Sequence, residues 1–171
     1  NILERDTDGA AHIVTQAELD RVSASFTTPD GVRAEAEPPK LGDGSVAFRR
    51  WLDRNVRAHR LRGYRAVVLS LKRVGQAPGD ATDEQMNAAA DLADRFSHGE
   101  LRVTHQQNLV LPWVQASELF ALWQAAKASS FATPNIGLVS DMIACPGGDF
   151  CALANARSIP VAQKISERFA D

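Results

Sequence analysis

The sequence predicts an α+β fold: a ferredoxin-like βαββαβ domain with an N-terminal helical extension and a C-terminal segment that contains a cysteine loop and a helix. Two observations predict this fold. From residue 64 onward, short runs rich in Val and Leu alternate with capped stretches of helical period. The chain of 171 residues is 44% hydrophobic and 23% charged, as in ordinary globular proteins. A chain of this length buries roughly 70% of its unfolded surface, which is enough for one good core.

Composition narrows the class of protein. A net charge of −2 argues against a general nucleic-acid binder. No apolar run approaches the roughly 18 residues that a membrane span needs, and no signal-peptide pattern stands at the start. We therefore expect a cytoplasmic protein that binds neither membranes nor nucleic acid. Because the chain opens at Asn1 and not at a Met, we also expect it to be a piece of a larger protein.

Residues 1–45 are predicted to be an N-terminal extension and a linker. A helix is expected from Thr15 through Phe26, with Thr15 as its N-cap and Glu18 completing a capping box. Residues 27–45 are rich in Pro and Gly, which is typical of a connector.

Residues 46–135 are predicted to be a ferredoxin-like half-domain with a leading helix. This helix is expected from about Val46 to Leu61, with Gly63 ending it. Its apolar side keeps helical spacing at Phe48, Trp51, Leu52, Val56 and His59.

The regular part of this half-domain follows. A buried strand is expected over Arg65–Leu71, and a helix begins after the capping box Thr82–Gln85 and stops at His98–Gly99. That helix is predicted to bury Met86, Ala89, Ala90, Ala93 and Phe96. Two short strands are expected over Glu100–Thr104 and Leu109–Val114.

A last helix and strand complete the predicted βαββαβ order. Ser117 is expected to cap the helix, which carries Leu119, Leu122, Trp123 and Ala126. The strand is expected over Ile136–Ile143, and it leads the chain to Cys145. Residues 136–171 are predicted to begin a further domain.

Cys145 and Cys151 are the two cysteines of the chain, and they flank a Pro-Gly-Gly turn. Two thiolates at this spacing suit half of a metal or cluster site, because an iron–sulfur cubane or a structural zinc normally takes four ligands. Two other interpretations stay open. Cysteines are often simply buried as small hydrophobic residues, and a redox disulfide is possible, although the usual Cys-x-x-Cys spacing is absent.

Two polar groups of residues are candidates for binding. The segment from Arg49 to Arg65 holds seven arginines and one acid, Asp53. It is either a solvated helix face or a docking site for a polyanion or an acidic partner. The second group can hold carboxylates through charge-assisted bonds, or it can form the polar outer face of a hairpin. Its members are Arg102, Thr104, Gln107 and Asn108.

Two of these patterns resemble one known family. Residues 100–111 are similar to the Arg-x-Thr-x-x-Gln-Asn strand of sirohaem-dependent nitrite and sulfite reductases. The run Ala144–Cys151 resembles the first Cys-x5-Cys pair of their iron–sulfur site. Trp51, Asn55 and Gly63–Tyr64 also resemble the second repeat of these enzymes, so the likeness extends from about Phe48 to the C-terminus.

The resemblance implies a cofactor enzyme. In this family, Cys-x5-Cys and a later Cys-x3-Cys pair hold a [4Fe-4S] cluster, and one later thiolate bridges to sirohaem iron. Cys145 and Cys151 would be the first pair, and the second pair lies outside this chain. Sirohaem carboxylates would be held by Arg102 and Asn108, with Thr104 and Gln107 contributing. No catalytic residue is assigned.

The implied reaction is the six-electron reduction of nitrite to ammonia or of sulfite to sulfide. The electron donor would be ferredoxin or a flavoprotein reductase. Since half of the cluster ligands are missing, we expect this chain by itself to bind neither cofactor and to be inactive. The alternative is a non-catalytic interaction module or an RNA-binding module with an incidental cysteine pair. A Cys-x3-Cys pair further along the parent gene would favour the enzyme.

Overall fold

The computed structural model describes residues 14–33 and 44–170, which divide between residues 32 and 33 into two compact units. The predicted extension at residues 1–13 and most of the predicted connector, residues 34–43, lie outside the described residues. Among the described residues, no helix has the length and apolar character needed to cross a membrane. The domain boundaries predicted at residues 45 and 135 stay predictions.

The first unit contains helix α1, Gln16–Ala24, whose N-cap is the predicted Thr15. The Thr15 hydroxyl accepts a hydrogen bond from the Glu18 backbone at 3.2 Å. The predicted capping box is wrong, because the Glu18 carboxylate turns to Arg21 and accepts two bonds from its guanidinium, at 2.8 and 2.6 Å. An ion pair three residues apart on one helix face has replaced the return bond to the cap.

The second unit contains the sheet. Its helices and strands are, in order, α2 (Val46–Asn55), β1 (Val56–Ala58), β2 (Tyr64–Leu69), α3 (Asp83–Phe96), β3 (Arg102–Val103), β4 (Leu109–Gln115), α4 (Leu119–Ala128) and α5 (Ser158–Arg168). The strands pair antiparallel in the order β1-β2-β4-β3. The α+β, ferredoxin-like fold class is confirmed.

The core joins α2, α3 and α4 to the two central strands, β2 and β4. Val67 pairs with Leu111 and Leu69 with Leu109, and all four side chains are buried. Trp51 of α2 is fully buried in the same cluster. Each large apolar side chain buried in this way contributes about 1.5–3 kcal/mol.

The helix predicted over Val46–Leu61 is wrong in its second half. Helix α2 ends at Asn55, and Val56 adopts an extended conformation (φ −105°, ψ 133°) that pairs it with Val67. The Asn55 side-chain amide fixes this change, because it donates to the Val68 and Thr133 carbonyls at 3.0 and 3.1 Å. Gly63 (φ 88°) lies in the turn between β1 and β2 and is not a helix cap.

The strand predicted over Ile136–Ile143 is also wrong. Local bonds fold this segment into tight turns, with the Leu138 backbone donating to the Asn135 carbonyl at 2.9 Å and the Asp141 backbone to the Leu138 carbonyl at 2.9 Å. In the βαββαβ order a fourth strand would pair with the first one, β2. That position at the sheet edge is occupied by β1.

Helix α3 has the predicted cap but buries a different set of residues from the predicted one. The capping box of α3 is confirmed, since the Thr82 hydroxyl accepts from Gln85 at 3.2 Å and the Gln85 side chain accepts from Thr82 at 3.0 Å. However, Met86 and Ala90 of α3 are exposed, and Leu92 is buried instead, together with Ala89, Ala93 and Phe96. The core therefore meets the helix on a face that is rotated from the predicted one.

Helix α4 starts later than predicted. A 3-10 turn over Ala116–Glu118 precedes it, so Ser117 lies inside that turn and makes no capping bond to α4. The apolar residues predicted for this helix are buried as expected: Leu119, Leu122, Trp123 and Ala126.

Two substitutions in α3 test its cap and its core contact. Thr82→Ala should lower the free energy of unfolding by about 1 kcal/mol, because it removes the capping oxygen. Phe96→Ala should lower it by roughly 3–5 kcal/mol, because it leaves a cavity in the core. Urea unfolding measures both, and equal, small losses would contradict this account of α3.

Candidate functional site

Gln107 connects the two motifs that the sequence analysis singled out. Its side-chain amide donates to the Ala144 carbonyl at 2.9 Å, and its side-chain oxygen accepts from the Ala144 backbone at 3.0 Å. Gln107 itself has a left-handed backbone conformation, φ 58°. A Cβ on Gly79 would meet the Gln107 Cβ at 2.8 Å, so a glycine there makes room for this side chain. The paired bonds anchor the start of the cysteine run to the β3–β4 turn.

Thr104 shapes that turn. Its hydroxyl accepts a bond from the Asn108 backbone at 3.1 Å, and its own backbone donates to the Asn108 carbonyl at 2.9 Å. The hydroxyl therefore has a partner inside the turn. Thr104 contributes to the site through the conformation it gives to residues 104–108.

Asn108 points inward from the turn and is 2% exposed. Its side-chain oxygen accepts a bond from the Leu71 backbone at 3.1 Å, just beyond strand β2. Its amide donates to the Asp141 carboxylate at 2.8 Å. Asn108 thus bridges the sheet to the segment that leads to Cys145.

A buried ion pair lies beside Asn108, between Lys72 and Asp141. The Lys72 ammonium contacts the Asp141 carboxylate at 3.0 Å, and the side chains are 1% and 6% exposed. The ammonium also donates to the Asp141 carbonyl at 3.1 Å and to the Gln106 carbonyl. The second carboxylate oxygen of Asp141 accepts from the Gly137 backbone at 2.9 Å. Both charges therefore have the several partners that burial requires.

Two more buried polar side chains complete the network. Asn135 donates to the Lys72 carbonyl at 2.9 Å and to the Ser140 carbonyl at 3.3 Å. Ser70 donates to the Asn135 side-chain oxygen at 2.7 Å. Sequence reasoning missed these residues and the Lys72–Asp141 pair. One signal in the sequence could have indicated them: Ser70 lies near the end of the predicted buried strand, and Lys72 follows that strand directly.

The cysteine loop itself is compact. Cys145 is exposed, Cys151 is half-buried, and both thiols are free. The Gly147 backbone N–H points to the Cys145 sulfur at 3.4 Å, and the Cys151 backbone donates to the Gly147 carbonyl at 2.9 Å. Gly147 has φ 64°, and a Cβ there would lie 2.8 Å from the Ala156 carbonyl oxygen. Only glycine fits this position.

Two hydrogen bonds and one ion pair connect residues 145–149 to residues 156–158, at the start of α5. The Gly148 backbone donates to the Ala156 carbonyl at 2.8 Å, and Arg157 pairs with Asp149 at 2.6 Å. The Ser158 hydroxyl, at the start of α5, donates to the Cys145 carbonyl at 2.5 Å.

The loop fits half of an iron–sulfur site. Thiols are the donors that such clusters take, and a backbone N–H aimed at a sulfur is the kind of bond that tunes them. The part of the chain that the structure describes has no group of three or more His, Cys, Asp or Glu residues placed to hold a metal ion.

An open cavity lies beside the cysteine loop. It has a volume of about 390 Å³, and its lining includes Gln107, Ala144, Pro146 and Phe150. The Phe150 side chain is 78% exposed. Free space and the exposed Phe150 ring therefore lie next to the loop that carries the two thiols.

Arg102 makes its contacts elsewhere. Its guanidinium Nε donates to the Glu100 carboxylate at 2.5 Å, and the other Glu100 oxygen accepts from the Trp113 indole N–H. The Trp113 ring lies 4.8 Å from the His59 ring. Burial lowers the pKa of His59, and the positive charges of nearby arginines, including Arg102, lower it further.

The structure thus divides the four predicted cofactor residues. Gln107 and Asn108 bind the segment that precedes Cys145, Thr104 shapes the turn that carries them, and Arg102 lies with Glu100 and Trp113.

Comparisons with known proteins place the chain beside nitrite and sulfite reductases. The family described as nitrite/sulfite reductase ferredoxin-like half domain matches residues 69–129. The chain is similar to chloroplastic ferredoxin–nitrite reductase of Zea mays, with 33% identity over 165 residues that cover 90% of this chain and 27% of the relative. It is 35% identical over 95 residues to the chloroplastic enzyme of Arabidopsis thaliana, which covers 55% of this chain and 16% of the relative. The match to ferredoxin–nitrite reductase of Synechococcus elongatus is 29%, over 51% of this chain and 18% of the relative. The chain therefore spans about a sixth to a quarter of these relatives.

Removing the buried cation tests the network beneath the loop. Lys72→Met should lower the free energy of unfolding by about 3–5 kcal/mol, because it leaves the Asp141 carboxylate buried without its counter-charge. Adding Asp141→Asn should restore part of this loss, since a neutral amide needs no cation. Chemical denaturation of the single and double variants measures the coupling.

Arg73→Met is the matched control, because Arg73 is the neighbouring cation and is exposed. It should change the free energy of unfolding by less than about 0.5 kcal/mol. A Lys72 variant as stable as the Arg73 variant would refute the role of the ion pair.

Proposed function

Since this chain belongs to the nitrite/sulfite reductase family, whose ferredoxin-like half domain it contains, we propose that it is part of an enzyme that reduces nitrite to ammonia with six electrons from ferredoxin. The names of the relatives support nitrite and ferredoxin. Sulfite reduction to sulfide is the second candidate, because the family description includes both anions. A flavoprotein reductase is the corresponding alternative donor.

The role of this chain in that enzyme is to present Cys145 and Cys151 to a [4Fe-4S] cluster. The observation that carries the proposal is the two-point bond between the Gln107 side chain and the Ala144 backbone. It joins the Arg-x-Thr-x-x-Gln-Asn motif to the residue that directly precedes Cys145. When bound, sirohaem and the cluster supply the electron transfer, and the protein supplies ligation and orientation.

The Arg-x-Thr-x-x-Gln-Asn motif would contribute to sirohaem binding in two ways, directly and through the backbone. Arg102 would hold a sirohaem carboxylate through a charge-assisted bond, while its bond to Glu100 orients the guanidinium. Thr104, Gln107 and Asn108 would act through the chain around them, because their side chains already bind the turn, Ala144 and Asp141. They would fix where the cofactor-facing backbone lies.

The enzyme is favoured over a non-catalytic or RNA-binding module. The relatives that match are reductases. RNA-binding modules of this fold stack bases on exposed aromatic residues of the central strands, whereas Tyr64 of β2 and Trp113 of β4 are buried. The proposed location is the cytoplasm, and the plant relatives are named as chloroplastic.

The first test concerns Gln107 in the full-length gene product. Gln107→Ala should lower the iron and acid-labile sulfide bound per protein, because the loop that carries Cys145 loses both anchoring bonds. Gln106→Ala is the matched control, since the neighbouring Gln106 side chain is exposed and its carbonyl remains for Lys72. Cluster absorbance after anaerobic purification gives the readout. Equal cluster content in both variants would contradict the anchoring role, and a wild-type protein without iron or sirohaem would contradict the proposed function.

The second test concerns Arg102. Arg102→Ala should weaken sirohaem binding about ten- to a hundred-fold, because a hydrogen bond to a charged group contributes about 1.5–3 kcal/mol. Arg102→Lys should recover only part, since an ammonium lacks the planar fork. The ratio of sirohaem absorbance to protein measures occupancy, and Arg95→Ala on the exposed side of α3 is the control. Full occupancy combined with a sharp loss of thermal stability would show that Arg102 is purely structural.

A further inference from the structure

The connection between β2 and α3, residues 70–82, contributes to the surroundings of the cysteine loop. Pro78 and Asp80 of this connection line the same cavity as Pro146 and Phe150 of the loop. The Gln107 side chain, from the β3–β4 turn, lies in that lining as well. Three segments that are distant in the sequence therefore meet beside the two thiols.

Gly79 of the connection lies very close to Gln107. A Cβ at residue 79 would lie 2.8 Å from the Gln107 Cβ, 3.1 Å from its Cδ and 3.2 Å from its Oε1. Non-bonded carbon atoms normally stay about 3.5–4.0 Å apart. Oε1 is also the atom that accepts the hydrogen bond from the Ala144 backbone. A side chain at residue 79 would therefore push on the atoms that anchor the cysteine loop.

The backbone on both sides of this contact is held in place. The Gln107 backbone donates to the Thr104 carbonyl at 3.1 Å, and this fixes the position from which its Cβ projects. The Gly79 backbone donates to the Leu71 carbonyl at 3.0 Å, and the Leu71 backbone donates to the Asn108 side chain at 3.1 Å. The connection is thus bound to the same turn that carries Gln107. An added Cβ would be relieved by moving the Gln107 side chain away from its two anchoring bonds.

We propose that Gly79 is a positioning residue for the cluster ligand Cys145, an inference that rests on the proposed function. The absence of a Cβ at residue 79 lets Gln107 keep both bonds to Ala144, which directly precedes Cys145. Backbone conformation is a separate demand for glycine, since Gly79 has φ 85°. Gly75 of the same connection shares that demand, with φ 84°, but a Cβ there would meet no other atom of the described chain within 4 Å.

The experiment compares Gly79→Ala with Gly75→Ala in the full-length gene product, purified anaerobically. Both substitutions place an alanine at the same positive φ, so they introduce the same kind of backbone strain. Gly79→Ala should lower the iron and acid-labile sulfide bound per protein, whereas Gly75→Ala should leave them at the wild-type level. Gly79→Ala should also speed hydrogen exchange at the Ala144 amide about two- to ten-fold, the factor that corresponds to the loss of one ordinary hydrogen bond.

A second pair of variants tests whether Gly79 acts through Gln107. Gln107→Gly removes the side chain that a Cβ at residue 79 would meet, and glycine readily adopts the φ of 58° found at this position. In the wild-type background, Gly79→Ala should lower the melting temperature more than Gly75→Ala does. In the Gln107→Gly background the two should lower it equally, because the contact is gone.

The outcomes separate the proposal from its alternatives. Equal cluster content in Gly79→Ala and Gly75→Ala would overturn it, and so would an excess loss of melting temperature that persists in the Gln107→Gly background. If Gly79→Ala alone does not fold, recovered folding in Gly79→Ala with Gln107→Gly supports the proposal, and an unfolded double variant overturns it. A wild-type protein without iron would overturn the proposed function, whereas the Ala144 exchange rates test the contact between Gly79 and Gln107 in either case.

Discussion

The buried ion pair between Lys72 and Asp141 is the constraint on which the site depends. A charge taken out of water must find partners for each of its hydrogen-bonding groups, or the protein loses several kcal/mol. Lys72 finds them on two different segments, the β3–β4 turn and the segment before the cysteines. Asp141 in turn takes bonds from Asn108 and Gly137. Satisfying one lysine therefore fixes the position of three pieces of chain relative to each other.

Features that local chemistry decides could be predicted from the sequence. The capping box at Thr82, the burial of Phe96, the two central strands and the compact cysteine loop all depend on residues close together in the chain. The strand at Val56 could not be predicted in the same way. Its apolar residue continues the helical spacing of Trp51 and Leu52. The bonds that hold Asn55 at the end of the helix run to the carbonyls of Val68 and Thr133, which are distant in the sequence.

The difference between local contacts and contacts between distant parts of the chain also explains how much of the candidate site could be predicted. The sequence identified Gln107 and Asn108 as polar side chains that could face a ligand, since a pattern of residue types indicates which bonds are chemically possible. Their partners, Ala144 and Asp141, lie more than 30 residues further along the chain, and only the tertiary structure selects them. Lys72 was missed because a lysine at the end of a strand is ordinarily at the surface.

The bonds around Gly147 bear on the order in which the proposed cluster site would be assembled. In many small metal-binding domains the ion itself organises the chain, so binding and folding occur together. Here the turn at Gly147, the Ala144 anchor and the Ser158 contact are all made by protein groups. The entropy cost of ordering this loop is therefore met by protein–protein bonds during folding. A cluster delivered to Cys145 and Cys151 would bind a loop that is already shaped, and its affinity would not be reduced by having to order the chain.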